Sequence, residues 1–218
     1  MIEAVGSVLP SALGIVVSPV PVIAVVLMLM APRAKDASIG FLIGWLAGIA
    51  GATVLGGALV SVLPDPSGEG AIAAVLRIVL GLVLIALAVR SFRSPSGPED
   101  LPGWMAAVDT MSGRRALALG AALAAMNPKN VMMVVAAADS VAAAGLSATE
   151  TLSTLALFVV LAGTSVAVPV LAHTVAPDRV VAPLARLKEW LIANNSTVMG
   201  TLLLVLGVVL VSQGIAAA

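Results

Sequence analysis

Apolar residues gather into six long runs, at about 5–30, 38–63, 71–91, 114–138, 148–173 and 196–216. Each is mostly apolar over its whole length, and a helix of about 20 such residues spans the hydrocarbon core of a bilayer. The pattern therefore predicts six transmembrane helices. Between the runs lie helix-breaking or charged segments: Pro32-Arg33-Ala34-Lys35-Asp36, Pro64-Asp65-Pro66-Ser67-Gly68, a linker over 92–113 that starts rich in Ser, Pro and Gly, Ala144-Gly145, and Pro177-Asp178. The stretch 178–193 reads differently. Val180, Val181, Leu184, Leu187 and Leu191 interleave with Arg179, Arg186, Lys188 and Glu189. That alternation predicts an amphipathic segment lying in the interface, anchored by Trp190 and distinct from the last span. Leu101-Pro102-Gly103-Trp104-Met105 in the linker is expected at the membrane surface as well.

Composition supports lipid as the solvent. Of 218 residues, 61% are hydrophobic and 10% charged, against roughly 45–50% and 25% in soluble domains. Net charge is zero, which removes a whole-chain argument for nucleic acid. There is no cysteine and one histidine, His173. Disulfides, thiolate chemistry and a multi-histidine metal site within one chain are excluded. Met1-Ile2-Glu3 lacks a basic leader, so the first run is expected to be a retained helix. With six spans, Arg33 and Lys35, then Arg90, Arg93, Arg114 and Arg115, then Arg179, Arg186 and Lys188 fall on one side, with Arg77 alone towards the other. The positive-inside rule makes that side cytoplasmic and places both termini outside, in the inner (plasma) membrane.

The two halves of the chain share a plan. Pro128 follows Pro19 by 109 residues, half of 218. The same offset carries the second run onto the fifth. Three helices per half make the second half enter from the opposite face, so the expected fold is all-α, with two inverted three-helix repeats and broken first and fourth helices. The expected organisation is 1–91 for the first repeat, 92–113 for a cytoplasmic linker, and 114–218 for the second repeat, including 178–193.

The breaks carry the chemistry. Ser18-Pro19-Val20-Pro21 removes two backbone donors in mid-span, so the helix must kink or open, and the freed carbonyls need partners. Asn127-Pro128-Lys129-Asn130 adds a lysine at depth, which costs about 2.5–3.5 kcal/mol on insertion scales. Such a lysine either faces a cavity or partner, or snorkels to the headgroups. No carboxylate lies near the middle of any run, and Asp139 and Glu150 flank the outer ends. Lys129 either moves a proton or takes its counter-charge from a substrate, which favours an anionic or strongly polar group. Hard-cation export fits poorly without carboxylates. Ser18, Pro19, Pro21, Asn127, Pro128, Lys129 and Asn130 are the candidate substrate-binding residues. Gly40, Gly44, Gly48, Ala52 and Gly56 recur every fourth residue and form a close-packing face, expected inside the protein, with a homodimer contact as the alternative.

The run from Ser18 to Leu29, then Ala31-Pro32-Arg33-Ala34, Gly40-Phe41-Leu42-Ile43-Gly44-Trp45, Leu101-Pro102-Gly103-Trp104-Met105 and Asn127-Pro128-Lys129-Asn130, resembles the glycolipid-addressing protein (GAP) family of actinobacteria. That family includes a sulfolipid-addressing type and belongs to the lysine-exporter superfamily. The resemblance covers essentially the whole chain. It implies a six-helix inner-membrane protein of two inverted repeats, associated with moving lipids or glycolipids toward the cell surface. Many amino-acid exporters of the superfamily carry a glycine between the first-helix prolines, where this chain has Val20. Metal-exporting relatives carry intramembrane acids, which this chain lacks.

The expected function is export of a lipid-linked or amphiphilic, anionic molecule by alternating access. A small-metabolite exporter of the amino-acid type is one alternative. A non-transporting subunit that works with lipid-synthesis or lipid-export machinery is another. Neither a nucleophile–base pair nor a nucleotide loop is present, so no enzyme activity and no cofactor is expected. The expected partners are membrane lipids and a lipid or small-molecule substrate.

Overall fold

A computed structural model describes residues 2–62, 71–93 and 107–216. The Pro64–Gly68 break and the Leu101–Met105 segment lie outside the described residues. Everything regular in the described chain is helical: α1 Ile2–Val16, α2 Pro19–Met30, α3 Ala34–Val62, α4 Ala71–Arg93, a 3-10 turn Val108–Thr110, α5 Gly113–Ala125, α6 Pro128–Ala143, α7 Ala148–Val175 and α8 Pro177–Ala216. The helix starts and stops follow local chemistry. Pro19, Pro128 and Pro177 open helices at a position where the missing N–H costs nothing. Gly145 turns the chain at φ +59°. Ser147 and Glu150 then form a capping box for α7, with Ser147 N donating to Glu150 Oε2 at 3.1 Å.

Three helices, α3, α7 and α8, are long and apolar enough to cross a membrane. Two further pairs qualify as bent spans, α1 with α2 at 58° and α5 with α6 at 64°, giving up to five. The broken first and fourth segments are thus as the sequence indicates. α4 is not among the five. With 23 residues, and Arg77 the one charge before Arg90, its sequence is nonetheless long and apolar enough for a crossing. One departure concerns 178–193, which does not stop before the last run. Nothing in Ala193-Asn194-Asn195-Ser196 breaks a helix, and Asn194 turns its amide onto Trp190 O at 2.8 Å within the helix. The result is one helix of 40 residues.

The chain divides into two compact units. The first holds α1 to α3, α5 to α7 and the start of α8. Its core is built from Val8, Ile15, Met28, Phe41, Trp45, Ile49, Phe158 and Val166, with the Phe41 and Trp45 rings stacked at 6.4 Å. Glycine sets its closest helix contact. A Cβ on Gly40 would strike the backbone of Gly113, one on Gly44 that of Leu117, and one on Gly48 would lie 2.7 Å from Ala121 O. The partners advance in step, so α3 and α5 run parallel. Gly120 returns the fit against Phe41 and Trp45, and Gly56 continues it onto Val134 of α6. The four-residue glycine stripe is therefore internal packing, as expected of small residues where backbones meet. In the second unit α4 packs antiparallel on the later part of α8. Gly81 and Gly207 meet backbone to backbone, Gly214 lies on Ala74 and Ile78, and Gly200 lies on the Phe92 ring. Ser91 Oγ donates to Ser196 O at 2.8 Å in the same unit.

Candidate functional site

The two breaks in the first unit are built alike, and α6 closes both. At the first, Ser18 takes an extended conformation, φ −87° and ψ 114°, as a residue before proline must. Val17 N still donates to Leu13 O at 3.1 Å, but Ser18 N turns to Ile15 O at 3.2 Å. Pro19 and Pro21 have no N–H to give. The Gly14 carbonyl is therefore left without a helical donor, at the negative end of the α1 dipole. At the second break, Asn127 is extended at φ −75° and ψ 115°, and its side chain caps α6 by accepting from Lys129 N at 3.0 Å. Pro128 removes the donor that Ala124 O would otherwise meet.

The first turn of α6 supplies what both breaks lack. The Lys129 ammonium donates to Gly14 O and to Ser18 Oγ, the latter at 2.6 Å. Asn130 Nδ2 donates to Ala124 O at 3.2 Å and to Leu123 O at 3.4 Å. The 109-residue offset between halves carries Gly14 onto Leu123, so the bridged carbonyls are equivalent positions of the two breaks. It also carries Val20 onto Lys129 and Pro21 onto Asn130, and neither Val20 nor Pro21 has a side chain able to donate. Both caps come from one side.

Lys129 is 3% exposed, Ser18 3% and Asn130 0%. The lysine does not snorkel. Pro19 and Pro21 are buried, Asn127 is half-buried and Pro128 is exposed. The structure brings Ser18, Lys129 and Asn127 into one hydrogen-bonded cluster, with Asn130 beside it on the α5 end. Both hydrogen bonds of the ammonium run to uncharged oxygens. One oxygen there stays open, since Asn130 Oδ1 is buried without a donor.

Gly14 is the residue that sequence reasoning missed. It contributes its carbonyl, and its missing Cβ admits Met133, whose Sδ would lie 2.6 Å from one. A proline rule applied to Pro19 points to the carbonyl of Ile15 four residues back. The 3-10 closure of Ser18 onto Ile15 shifts the vacancy by one residue.

A helical membrane protein with two proline-broken segments, joined through a buried lysine, is the class that fold and site define. A profile of the family described as Sap, sulfolipid-1-addressing protein, matches residues 8–216. The chain belongs to that family, as the motifs at Ser18-Pro19 and Asn127-Pro128 indicate. No curated protein and no solved structure matches it.

Proposed function

We propose that the chain is a secondary exporter that carries an acidic lipid or lipid-linked molecule outward across the plasma membrane. The family's description names a sulfolipid, an amphiphile with an anionic headgroup. The single observation that carries the reading is the Lys129 amine, buried where two broken segments meet and bonded, among the described residues, only to uncharged oxygens. A helix C-terminus offers such an ammonium about half a unit of negative charge. A sulfate or phosphate offers a full one and a stronger, charge-assisted hydrogen bond.

The architecture proposed is six spans in two inverted repeats, with both termini outside. Two packing features support it. α3 and α5 run parallel, so the chain between them crosses the membrane an odd number of times, and α4 is the helix available to do so. α3 also packs on α5 and α6 of the other half, while α7 packs on α1 and α2. That reciprocal exchange is what an inverted pair produces, and rocking one repeat against the other would give alternating access. Neither ATP hydrolysis nor any other enzyme activity is part of this proposal.

The test is flux of a sulfated glycolipid, against its uncharged parent, from proteoliposomes holding wild-type chain or Lys129→Ala. Elution as a single monodisperse peak checks that the variant folds. The expected result is a loss of sulfated-lipid flux of at least about tenfold in the variant, equivalent to about 1.4 kcal/mol of barrier. Equal flux in both proteins would remove Lys129 from the site. Flux of amino acids in place of lipid would move the assignment to a small-metabolite exporter.

A further inference from the structure

The lysine that would bind the headgroup also holds α1 in place. We infer that the Lys129 ammonium is a latch on the broken end of α1, and that an anionic headgroup opens the site by taking the ammonium away from Gly14 and Ser18. This rests on the exporter reading above and adds to it the moving element and the event that moves it.

Three features converge. With Lys129 3% exposed and bonded to Gly14 O and Ser18 Oγ, an anion cannot approach the ammonium while α1 stays where it is. Binding and displacement of α1 are therefore one event. Secondly, α1 joins α2 through a 58° bend with little backbone holding it. Pro19 and Pro21 donate nothing, and Ser18 N reaches back only to Ile15 O. A swing about residues 17 and 18 disturbs that closing bond and leaves α2 whole. Thirdly, where the end of α1 meets α6, the facing side chain at Gly14 is Met133, whose flexible thioether can follow or fill a moving surface. The second break has no such freedom. Asn130 bonds two carbonyls of α5 through a neutral amide, which an anion has no charge to attract. The asymmetry makes α1 the gate and leaves α5 fixed.

The chain has no cysteine, so a pair of spin labels can be placed without other substitutions. Leu13 on α1 and Val131 on α6 are exposed, at 59% and 40%. Leu13→Cys with Val131→Cys, labelled and reconstituted, reports the α1–α6 separation by pulsed dipolar spectroscopy. The discs are phosphatidylcholine alone, or doped with sulfatide, with galactosylceramide, or with phosphatidic acid. A separation several ångström longer with sulfatide or phosphatidic acid, and unchanged with galactosylceramide, supports the latch. Response to sulfatide alone assigns it to a sulfate, and response to both assigns it to acidic headgroups in general. Lys129→Gln should abolish the response. Ser18→Ala, which removes one latch oxygen and keeps the charge, should show a longer population even in neutral lipid. One separation in every disc overturns the latch, as does a lengthening that persists in Lys129→Gln. Should Lys129→Gln not fold, wild type and Ser18→Ala across the four lipids still decide. Export that needs Lys129 while the separation stays fixed sinks the latch alone. Export indifferent to Lys129 sinks the exporter site beneath it.

Discussion

A lysine in the first turn of α6 stands at the wrong end of its own helix dipole, which costs about 0.3–1 kcal/mol, besides the roughly 2.5–3.5 kcal/mol of placing it at depth. Two hydrogen bonds from a charged donor return about 1.5–3 kcal/mol each. The bonds to Gly14 O and Ser18 Oγ therefore offset the burial, and the pair should be strongly coupled. Lys129→Met retains the stem and leaves Gly14 O without a donor, so a loss of about 1–3 kcal/mol is expected. Ser18→Ala should cost about 1 kcal/mol alone and nearly nothing in the Lys129→Met background. A double-mutant cycle on thermal midpoints in one detergent checks this, and additive losses would contradict the bond. The lysine itself was legible in the sequence, because a charge inside an apolar run stands out by cost. Of its partners, Ser18 stood among the candidates and Gly14 did not. A backbone carbonyl has no letter of its own, and the one freed belongs to Gly14 rather than to the Ile15 that proline geometry names.

At the scale of helices, legibility tracked how far a signal reached along the chain. Prolines mark the two breaks because one ring removes a donor wherever it sits. The four-residue stripe on α3 was readable because one helix face repeats at that spacing. Gly200, Gly207 and Gly214 lie on one face of α8 too, but every seventh residue, and their contact with α4 was missed. The segment 178–193 and the last run form one helix because amphipathic patterning changes there while the helix does not, and no residue between Ala193 and Ser196 stops it. The α3–α5 seam gives a sharp comparison. On α3, a Cβ at Gly44 meets the Leu117 backbone, whereas one at Gly51 meets nothing within 4 Å. Backbone cannot swing aside as a side chain can, so Gly44→Ala must part the helices and should cost about 1–3 kcal/mol. Gly51→Ala should gain up to about 1 kcal/mol from helix propensity. Opposite shifts in the thermal midpoint are expected, and equal shifts would mean that the seam is looser than it stands here.

For the whole molecule, the direction of α3 and α5 bears on the span count that length and hydropathy leave open. If α4 does not cross, the chain leaves α3 and starts α5 on the same side, and the two helices must be antiparallel. They are parallel, with Gly40, Gly44 and Gly48 meeting Gly113, Leu117 and Ala121 in step. α4 is apolar from Ile78 to Val89 within its 23 residues, and its return across the membrane, as proposed above, would account for the parallel seam. The consequence is directly measurable in a cysteine-free chain. Lys35, Ala144 and Arg179 are exposed, near the starts of α3 and α8 and after α6. With six spans, single cysteines at Lys35 and Arg179 share a side and one at Ala144 lies on the other. With five, Lys35 and Ala144 share a side and Arg179 is alone. An impermeant maleimide applied to inside-out vesicles should modify Lys35→Cys and Arg179→Cys and spare Ala144→Cys. Right-side-out vesicles should give the reverse. Modification of Lys35→Cys and Ala144→Cys together would take α4 out of the membrane, and with it the proposed inverted repeat, in which Ser18 and Asn127 lie at matching depths.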